Sequence, residues 1–391
     1  MTSMRAPTVI ASLLASLAAT SPLPHVTSIS NVVPHTNASG AIVDAHDGST
    51  TLMRGPRGYE FFWYAMGYGY NMATGKDDCP EQGHWCINCG RHFNNTIGVW
   101  TSPDLSAGSW VYRGNAMGSG WPLAEYYRSH VLYNRLTGRY VLWANVGAGP
   151  GAPYAVGTAE TADGPFDYHG VASPPTGGGG GDMSLFLDDD GDGDGSAYIV
   201  LTQLPNGAGP RDMLVFRLSD DFLDFTNAST GVLPGPKLVE APEMLRRGNT
   251  YYVLLGGCTC FGLHGSGVAY LTAPSPLGPY TPRSSVLDPG CNISATPNCF
   301  DVGPKGPSQD GGHTASGMCR PVLQAQQNSV IRYPTPGGGT GYIWTGDRWQ
   351  QAPDGLFAHD PQTWAPLEFD DSTGAILPMA WHDNFTIEIE Y

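Results

Sequence analysis

Short runs of aromatic and β-branched residues recur along the chain, and each follows a turn. No hydrophobic period of 3.6 residues persists long enough for a substantial helix, so the pattern predicts an all-β protein. Five runs share this character, and each predicts a strand: 59–67, 138–146, 195–203, 248–257 and 339–347.

A second pattern follows each run: another strand, a polar turn and, in the clearest copies, Gly-Pro-aromatic. Its five copies are 97–114, 154–170, 214–226, 268–283 and 355–369. Five similar β-units within about 360 residues predict a five-bladed β-propeller, placed as one domain over 28–391. A β-sandwich with insertions is the alternative, but it does not account for five copies.

The composition agrees with many short strands joined by turns. The chain has 53 Gly, 33 Pro and 11% aromatic residues, a mixture that suits strands and turns better than a helical bundle. Nineteen basic against 35 acidic residues give a formal net charge of −16. Such a surface repels phosphate backbones and anionic lipid, so neither nucleic acid nor a membrane is an expected partner.

Residues 1–20 have the pattern of a secretory signal peptide. Arg5 precedes an apolar stretch from about Val9 to Leu17, and small residues follow; this stretch is too short to span a membrane. We therefore expect a secreted protein. Five glycosylation sequons indicate a eukaryotic secretory route; they lie at Asn37, Asn94, Asn227, Asn292 and Asn384.

The eight cysteines favour disulfides over a metal site. Cys86 and Cys89 have the spacing of half a zinc site, but no second ligand pair with matching spacing follows. An even number of cysteines in an exported chain favours disulfides, and partners for Cys258 and Cys260 are expected in segments 79–89 and 291–319. The remaining cysteines are Cys79, Cys291, Cys299 and Cys319.

Residues 188–195 resemble the start of a calcium loop. Leu201 stands where the bidentate glutamate of such a loop would be. The segment is therefore predicted to be a solvated hairpin turn, and no metal or cofactor is expected.

One polar candidate precedes each aromatic run by 12 to 16 residues. In a propeller, residues at the head of each innermost strand converge on one pocket. Three carboxylates, an arginine and an amide in that pocket would suit glycosidic bond hydrolysis, which needs one protonated and one ionised carboxyl group. A third carboxylate can hold the acid protonated by like-charge repulsion. The candidates are Asp47, Tyr127 with Arg128, Asp182, Glu240 and Gln326.

Each candidate also has a purely structural interpretation. Asp47 precedes a glycine and Asp182 follows five glycines, so both could be turn residues. Arg128 could be a surface residue, and the register of Gln326 among neighbouring glutamines is open. Glu240 could have a structural role at the start of a predicted strand, although that is a costly place for an unpaired carboxylate.

The motifs together resemble glycoside hydrolase family 43, most closely its exo-β-1,3-galactanase branch. This resemblance implies a five-bladed propeller and hydrolysis with inversion of configuration. It implies that Glu240 is the general acid, that Asp182 tunes its pKa and positions substrate, and that Gln326 is the glutamine found where a base is expected. The matching stretches are AHDG (45–48), 128–143, DMSLFLDDDG (182–191), VEAPEML (239–245), 251–259 and 341–349.

Two positions depart from the galactanase branch. Asp47 stands where that branch usually has glycine, and most of the family carries its general base there. Tyr127 replaces a glutamate associated with the galactose site, so an arabinan- or xylan-directed enzyme stays an alternative.

We therefore expect a monomeric, metal-independent, inverting exo-glycosidase. Its expected substrate is a polysaccharide or oligosaccharide, with side chains of the β-1,3-galactan type or of a related plant or algal polysaccharide. Glu240 should protonate the leaving oxygen, Asp47 should activate water, and Asp182 should keep Glu240 protonated. A non-catalytic sugar-binding propeller and an interaction domain held by its Cys-rich insertions are also compatible with the sequence. The expected substrate-binding residues are Gln326, Arg128, Tyr127, His46 and Trp349, with aromatic rings stacking on the sugar.

Overall fold

The computed structural model describes residues 24–71, 95–147, 152–177, 179–189, 193–204, 212–236, 239–257, 265–290, 293 and 322–391. The predicted signal peptide and all eight cysteines lie outside these ranges, as do Asn94 and Asn292. The predictions of cleavage and of disulfides therefore stay predictions.

The described chain is an all-β protein, as predicted: it contains 21 strands and one short 3-10 helix at Phe357–His359. Most strands form five antiparallel meanders, here named A to E, in which consecutive strands pair. Meander A contains β2 (His46–Gly55), β3 (Gly58–Asn71), β4 (Asn95–Ser102) and β5 (Val111–Asn115). Meander B contains β6 (Tyr126–Asn134), β7 (Arg139–Val146), β8 (Tyr154–Ala159) and β9 (Asp167–Ala172).

The remaining meanders follow in chain order. Meander C contains β10 (Gly179–Leu187), β11 (Ala197–Leu204), β12 (Asp212–Leu218) and β13 (Phe225–Ser229). Meander D contains β14 (Val239–Arg247), β15 (Thr250–Gly257), β16 (Ala269–Ala273) and β17 (Thr281–Pro282). Meander E contains β18 (Gln326–Thr335), β19 (Gly339–Asp347) and β20 (Gln362–Pro366).

The first strands of the five meanders contact one another in sequence. β2 contacts β6, β6 contacts β10, β10 contacts β14, β14 contacts β18, and β18 contacts β2 again. A single parallel bridge between Gly48 and Ser129 also joins meanders A and B. The polar starts of these strands therefore lie near one another, although they are far apart in sequence.

The five aromatic runs do form strands, but each is the second strand of its meander and not the first. They correspond to β3, β7, β11, β15 and β19. The site candidates lie on or beside the strand before each run. A second strand is covered on both faces by neighbouring sheets, which explains its nearly continuous hydrophobic character.

The described residues form six hydrophobic core clusters, and five of them lie between two adjacent meanders. Each fully buried large side chain in them contributes about 1.5–3 kcal/mol. The contributing pairs include Phe62 with Leu142, Trp143 with Ile199, Val200 with Val253, Leu254 with Trp344, and Trp63 with Trp364.

Strands from near the two ends of the chain pair with each other. β1 (His25–Ser30) pairs antiparallel with β21 (Asn384–Ile389). The adjacent Asn31 side chain accepts a hydrogen bond from Trp364 N and donates one to Trp364 O, both 2.8 Å long. This amide satisfies main-chain groups of β20, whose other neighbour is β19, and so protects a sheet edge.

The acidic segment that resembles a calcium loop connects β10 to β11. The hairpin prediction is therefore correct, but the first residue of the segment is not solvated. Asp188 is buried, and its carboxylate accepts hydrogen bonds of 2.8 Å from Arg246 Nη1 and Tyr251 Oη. Residues 190–192 lie outside the described ranges.

Within the described ranges, no helix has the length and apolar character needed to cross a membrane.

Candidate active site

Every first strand carries a β-bulge near its start. The regular pairing skips two residues in each case, between the pairs His46/Ser49, Tyr127/His130, Gly180/Met183, Glu240/Glu243 and Gln327/Val330. Within these bulges Asp47, Arg128 and Ala241 have φ values of 46°, 48° and 51°. Left-handed φ costs a non-glycine residue about 1–3 kcal/mol, and bulges commonly redirect side chains at functional sites.

Asp47 and Gly48 form the bulge of β2 and not a turn, so the turn interpretation of this Asp-Gly pair is wrong. A Cβ atom at Gly48 would lie 1.9 Å from the main-chain oxygen of Tyr64. Only glycine fits against β3 at this point. The close approach fixes the position of the bulge and therefore of Asp47.

Arg128 is a buried ion-pairing residue and not a surface residue, with only 2% of its surface exposed. Its Nε lies 3.1 Å from Asp47 Oδ1 and 3.3 Å from Asp182 Oδ2. Its Nη2 donates a hydrogen bond of 3.2 Å to Gln327 O. Burial alone would lower the pKa of Arg128, but the surrounding carboxylates raise it above its usual value. The guanidinium therefore stays charged and joins meanders A, B, C and E.

Glu240 lies beside a chain of hydrogen bonds that ends in meander E. Gln326 Nε2 donates to Glu240 Oε1 at 3.0 Å, and Trp349 Nε1 donates to Gln326 Oε1 at 2.7 Å. An indole N–H can only donate, so it fixes which end of the amide faces Glu240. Each polar atom of the Gln326 side chain thus already has a protein partner.

Asp182 links the acid candidate to the arginine. Its Oδ2 accepts a hydrogen bond of 3.0 Å from the main-chain N–H of Ala241, the residue after Glu240. The same oxygen faces Arg128. The turn interpretation of Asp182 is therefore also wrong, because this carboxylate spans meanders B, C and D.

The acidity of Asp47 is strongly altered by this environment. Burial raises its pKa, and the charges of Asp182, Asp347 and Glu240 raise it further. Arg128 opposes them, and the pKa is about 7. A general base works best with a pKa near the working pH, so Asp47 is suited to accept a proton from water.

Asp347 is a part of the site that the sequence did not single out. Its Oδ2 accepts hydrogen bonds from Asp47 N at 2.7 Å and from Asn328 Nδ2 at 3.3 Å. It ends the aromatic strand β19, and a polar residue there looks like the start of a turn. The one available signal was its place in the stretch 341–349 that matches the family.

His46 lies behind Asp47 and is completely buried. Its Nδ1 is 3.7 Å from Asp347 Oδ1, and its Nε2 is 3.5 Å from Asp44 Oδ1. Burial alone would lower its pKa, but these two carboxylates raise it to about 10. A charged, buried His46 orients acidic groups and does not offer a surface to a substrate.

The two predicted aromatic contacts differ in exposure. Trp349 is 1% exposed and packs with Met66, Tyr68 and Phe357, so it supports Gln326 and has no free ring face for a sugar. Tyr127 packs against the same cluster but is only partly buried. Tyr127 therefore stays the aromatic candidate for sugar stacking.

The family model for glycosyl hydrolases family 43 matches residues 92–313, more than half of the chain. The chain belongs to glycosyl hydrolase family 43. The matched segment contains Arg128, Asp182 and Glu240, whereas Asp47 and Gln326 lie outside it.

Solved structures resemble this family 43 chain over most of its length. An exo-β-1,3-galactanase from Clostridium thermocellum has a TM-score of 0.64 at 20% identity, covering 93% of this chain and 68% of that one. The exo-β-1,3-galactanase of Phanerochaete chrysosporium has a TM-score of 0.63 at 20% identity, covering 93% of this chain and 69% of that one. An endo-1,4-β-xylanase from Bacteroides thetaiotaomicron has a TM-score of 0.53 at 16% identity, covering 89% of this chain and 96% of that one.

At these identities the likeness shows the fold alone. The chain spans 64% to 69% of the length of the first galactosidase and galactanase structures it matches. No curated protein sequence gives a significant match.

Proposed function

We propose that this family 43 glycoside hydrolase is an inverting, exo-acting enzyme that releases galactose from β-1,3-galactan. We also propose that its fold is a five-bladed β-propeller. Five consecutive meanders support this architecture, as do the first-strand contacts that pass through all five and return to β2. The substrate would enter where the bulged starts of these strands meet.

The observation that carries the proposal is the placement of three carboxyl groups around one buried arginine. Asp47 and Asp182 flank Arg128. Glu240 is held beside them by Gln326 and by the Asp182 bond to the next residue. Two separately positioned carboxyl groups are what an inverting hydrolase needs.

Each group has one role in the proposed reaction. Glu240 donates its proton to the leaving glycosidic oxygen as the bond to the anomeric carbon breaks. Asp47 accepts a proton from the water that attacks the same carbon from the opposite face. Asp182 and Arg128 position the two groups, and a β-linkage would yield the α-anomer.

Gln326 is better suited to orient Glu240 than to act as a base. Its amide oxygen is bound by Trp349, and its nitrogen faces Glu240. To take a proton from water, the amide would have to give up one of these bonds. The ionised form of Asp47 is a stronger proton acceptor and is already in place.

The galactanase structures named above support galactan as the substrate. Xylan is an alternative substrate, because a xylanase has a similar fold. Tyr127 also supports an alternative, since it departs from the galactanase branch at the substrate site.

A screen of polysaccharides tests the function. β-1,3-Galactan, arabinan and xylan would be incubated with the protein, and the released monosaccharides and their first-formed anomer would be read by chromatography and NMR. We expect galactose, initially as the α-anomer, from galactan only. Glu240→Gln should release little sugar from the same polymer. Binding without release from all three polymers would instead support a non-catalytic sugar-binding protein.

We further propose that the protein is exported and monomeric. The basic and apolar pattern of residues 1–20 supports export. Mass spectrometry of protein recovered from the medium should show an N-terminus near residues 18–20, and light scattering should give a single-chain mass. A retained Met1 would contradict the cleavage.

A further inference from the structure

Asp47 has a main-chain conformation that needs support from elsewhere in the molecule. Its φ of 46° is uncommon for an aspartate in a strand. Its main-chain N–H donates a hydrogen bond of 2.7 Å to Oδ2 of Asp347. Asp347 is the last residue of β19, so meander E holds the bulge of meander A. A bond across 300 residues of sequence replaces the pairing that β2 loses at this point.

Each oxygen of the Asp347 carboxylate faces a buried side chain. Asp347 is 2% exposed. Its Oδ2 also accepts from Asn328 Nδ2, and its Oδ1 faces His46 Nδ1 at 3.7 Å. His46 is in turn held by Asp44 at 3.5 Å on its other nitrogen. The carboxylate therefore cannot move without breaking contacts to two other buried side chains.

We propose that Asp347, oriented by His46 and Asn328, is a positioning residue for the base Asp47. It fixes the main chain of Asp47 so that the side chain reaches Arg128, and its negative charge favours proton uptake by Asp47. This inference rests on the proposed function of the site, and it assigns a role that acts only through Asp47.

The sign of the charge effect follows from the groups that face Asp47. Arg128 stabilises the ionised form of Asp47, and the three neighbouring carboxylates oppose it. Removing the charge of Asp347 should therefore lower the pKa of Asp47. The charged groups around this pair come from every meander and from the segments beside them. They are Asp44 just before β2, His46 from meander A, Arg128 from B, Asp182 from C, Glu240 from D, Asp347 from E, and Asp360, which faces His46.

The pH dependence of kcat/KM separates positioning from simple structural support. Asp347→Asn keeps an oxygen that can accept the Asp47 N–H but loses the charge. We expect its acidic limb to move to lower pH by about half a unit or more, with kcat within about tenfold of the wild type. Asp347→Ala also loses the acceptor, and kcat should fall about 100-fold with little change in KM. Asp347→Glu keeps the charge, so its acidic limb should stay near that of the wild type.

Asp288→Asn is a matched control. Asp288 is equally buried, and its Oδ1 accepts hydrogen bonds from the main-chain N–H groups of Val322 and Leu323, outside this cluster. It should leave the acidic limb in place. Circular dichroism and melting temperature would check the folding of each variant. If Asp347→Ala does not fold, the acidic limbs of the Asn and Glu variants still test the role of Asp347, because both variants keep an acceptor oxygen.

Two outcomes are distinguishable. The first is an inactive Asp47→Asn variant, an unchanged acidic limb in Asp347→Asn, and an Asp347→Ala turnover like that of the Asp288 control. This result overturns the role of Asp347 and leaves the proposed function in place. Full activity of Asp47→Asn on the same substrate would instead overturn the base assignment in the proposed function.

Discussion

Trp349 Nε1 donates a 2.7 Å hydrogen bond to Gln326 Oε1, and the amino end of the same amide faces Glu240. Without the indole N–H, the Gln326 amide could rotate and turn its oxygen toward a carboxyl oxygen. A buried tryptophan therefore controls which hydrogen bond reaches the proposed acid.

Trp349→Phe should lower kcat by about tenfold, because one hydrogen bond that orients Glu240 is lost while the ring packing is largely kept. KM should change less. Trp110→Phe is the matched control: Trp110 is also fully buried, and its indole N–H has no hydrogen-bond partner among the described residues. Steady-state kinetics of both variants give the comparison; equal effects would mean that Trp349 acts only through packing.

Asp47→Asn should make the protein more stable at neutral and alkaline pH while removing activity. The pKa of Asp47 rises from 3.8 to about 7, with burial as the largest cause. The folded state therefore favours the protonated form, and this contribution to stability is present below pH 3.8 and lost as the pH rises through 7. Thermal melts should show a gain of about 2–4 kcal/mol at pH 8 and almost none at pH 4. A gain of the same size at both pH values would contradict this account.

Arg128→Met should shift the acidic limb of kcat/KM in the direction opposite to Asp347→Asn. Without the guanidinium, the Asp47 and Asp182 carboxylates face each other uncompensated, and the pKa of Asp47 should rise. The variant should also lose about 3–5 kcal/mol of stability at pH 7, because the buried carboxylates of Asp47 and Asp182 lose the cation that lies between them. pH–rate profiles and denaturant titrations test both effects; an acidic limb at its wild-type position would be inconsistent with the proposed pairing.

The sequence predicts part of this site and misses the rest for physical reasons. The aromatic runs predict strands because a strand covered on both faces must be apolar. Asp47, Asp182 and Glu240 could be found because polar residues recur at the starts of units. The bulges could not be found, since a skipped pair depends on backbone contacts such as the one between Gly48 and Tyr64. The Asp347 bond to Asp47 leaves no sequence pattern, because 300 residues separate the partners.

Glu243→Gln should stabilise the protein at high pH. Glu243 is buried, and its Oε2 has no hydrogen-bond partner among the described residues. Burial raises its pKa from 4.5 to about 8. The neutral form therefore stabilises the fold below pH 4.5, and this contribution is lost as the pH rises through 8. The melting temperatures of the two proteins should agree at about pH 4.5 and diverge by about pH 9; parallel curves would show that Glu243 does not titrate in this range.

Asp47 is the proposed general base, and Gln326 is proposed to position Glu240. The most direct test is the turnover number of Asp47→Asn on whichever substrate the polysaccharide screen identifies, with Gln326→Ala measured beside it. Positioned acid–base groups contribute about 10²–10⁴ in rate, so turnover of Asp47→Asn should fall by at least that range. Gln326→Ala should keep measurable turnover. Near-normal turnover in Asp47→Asn together with an inactive Gln326→Ala would contradict the account and assign the base role to Gln326.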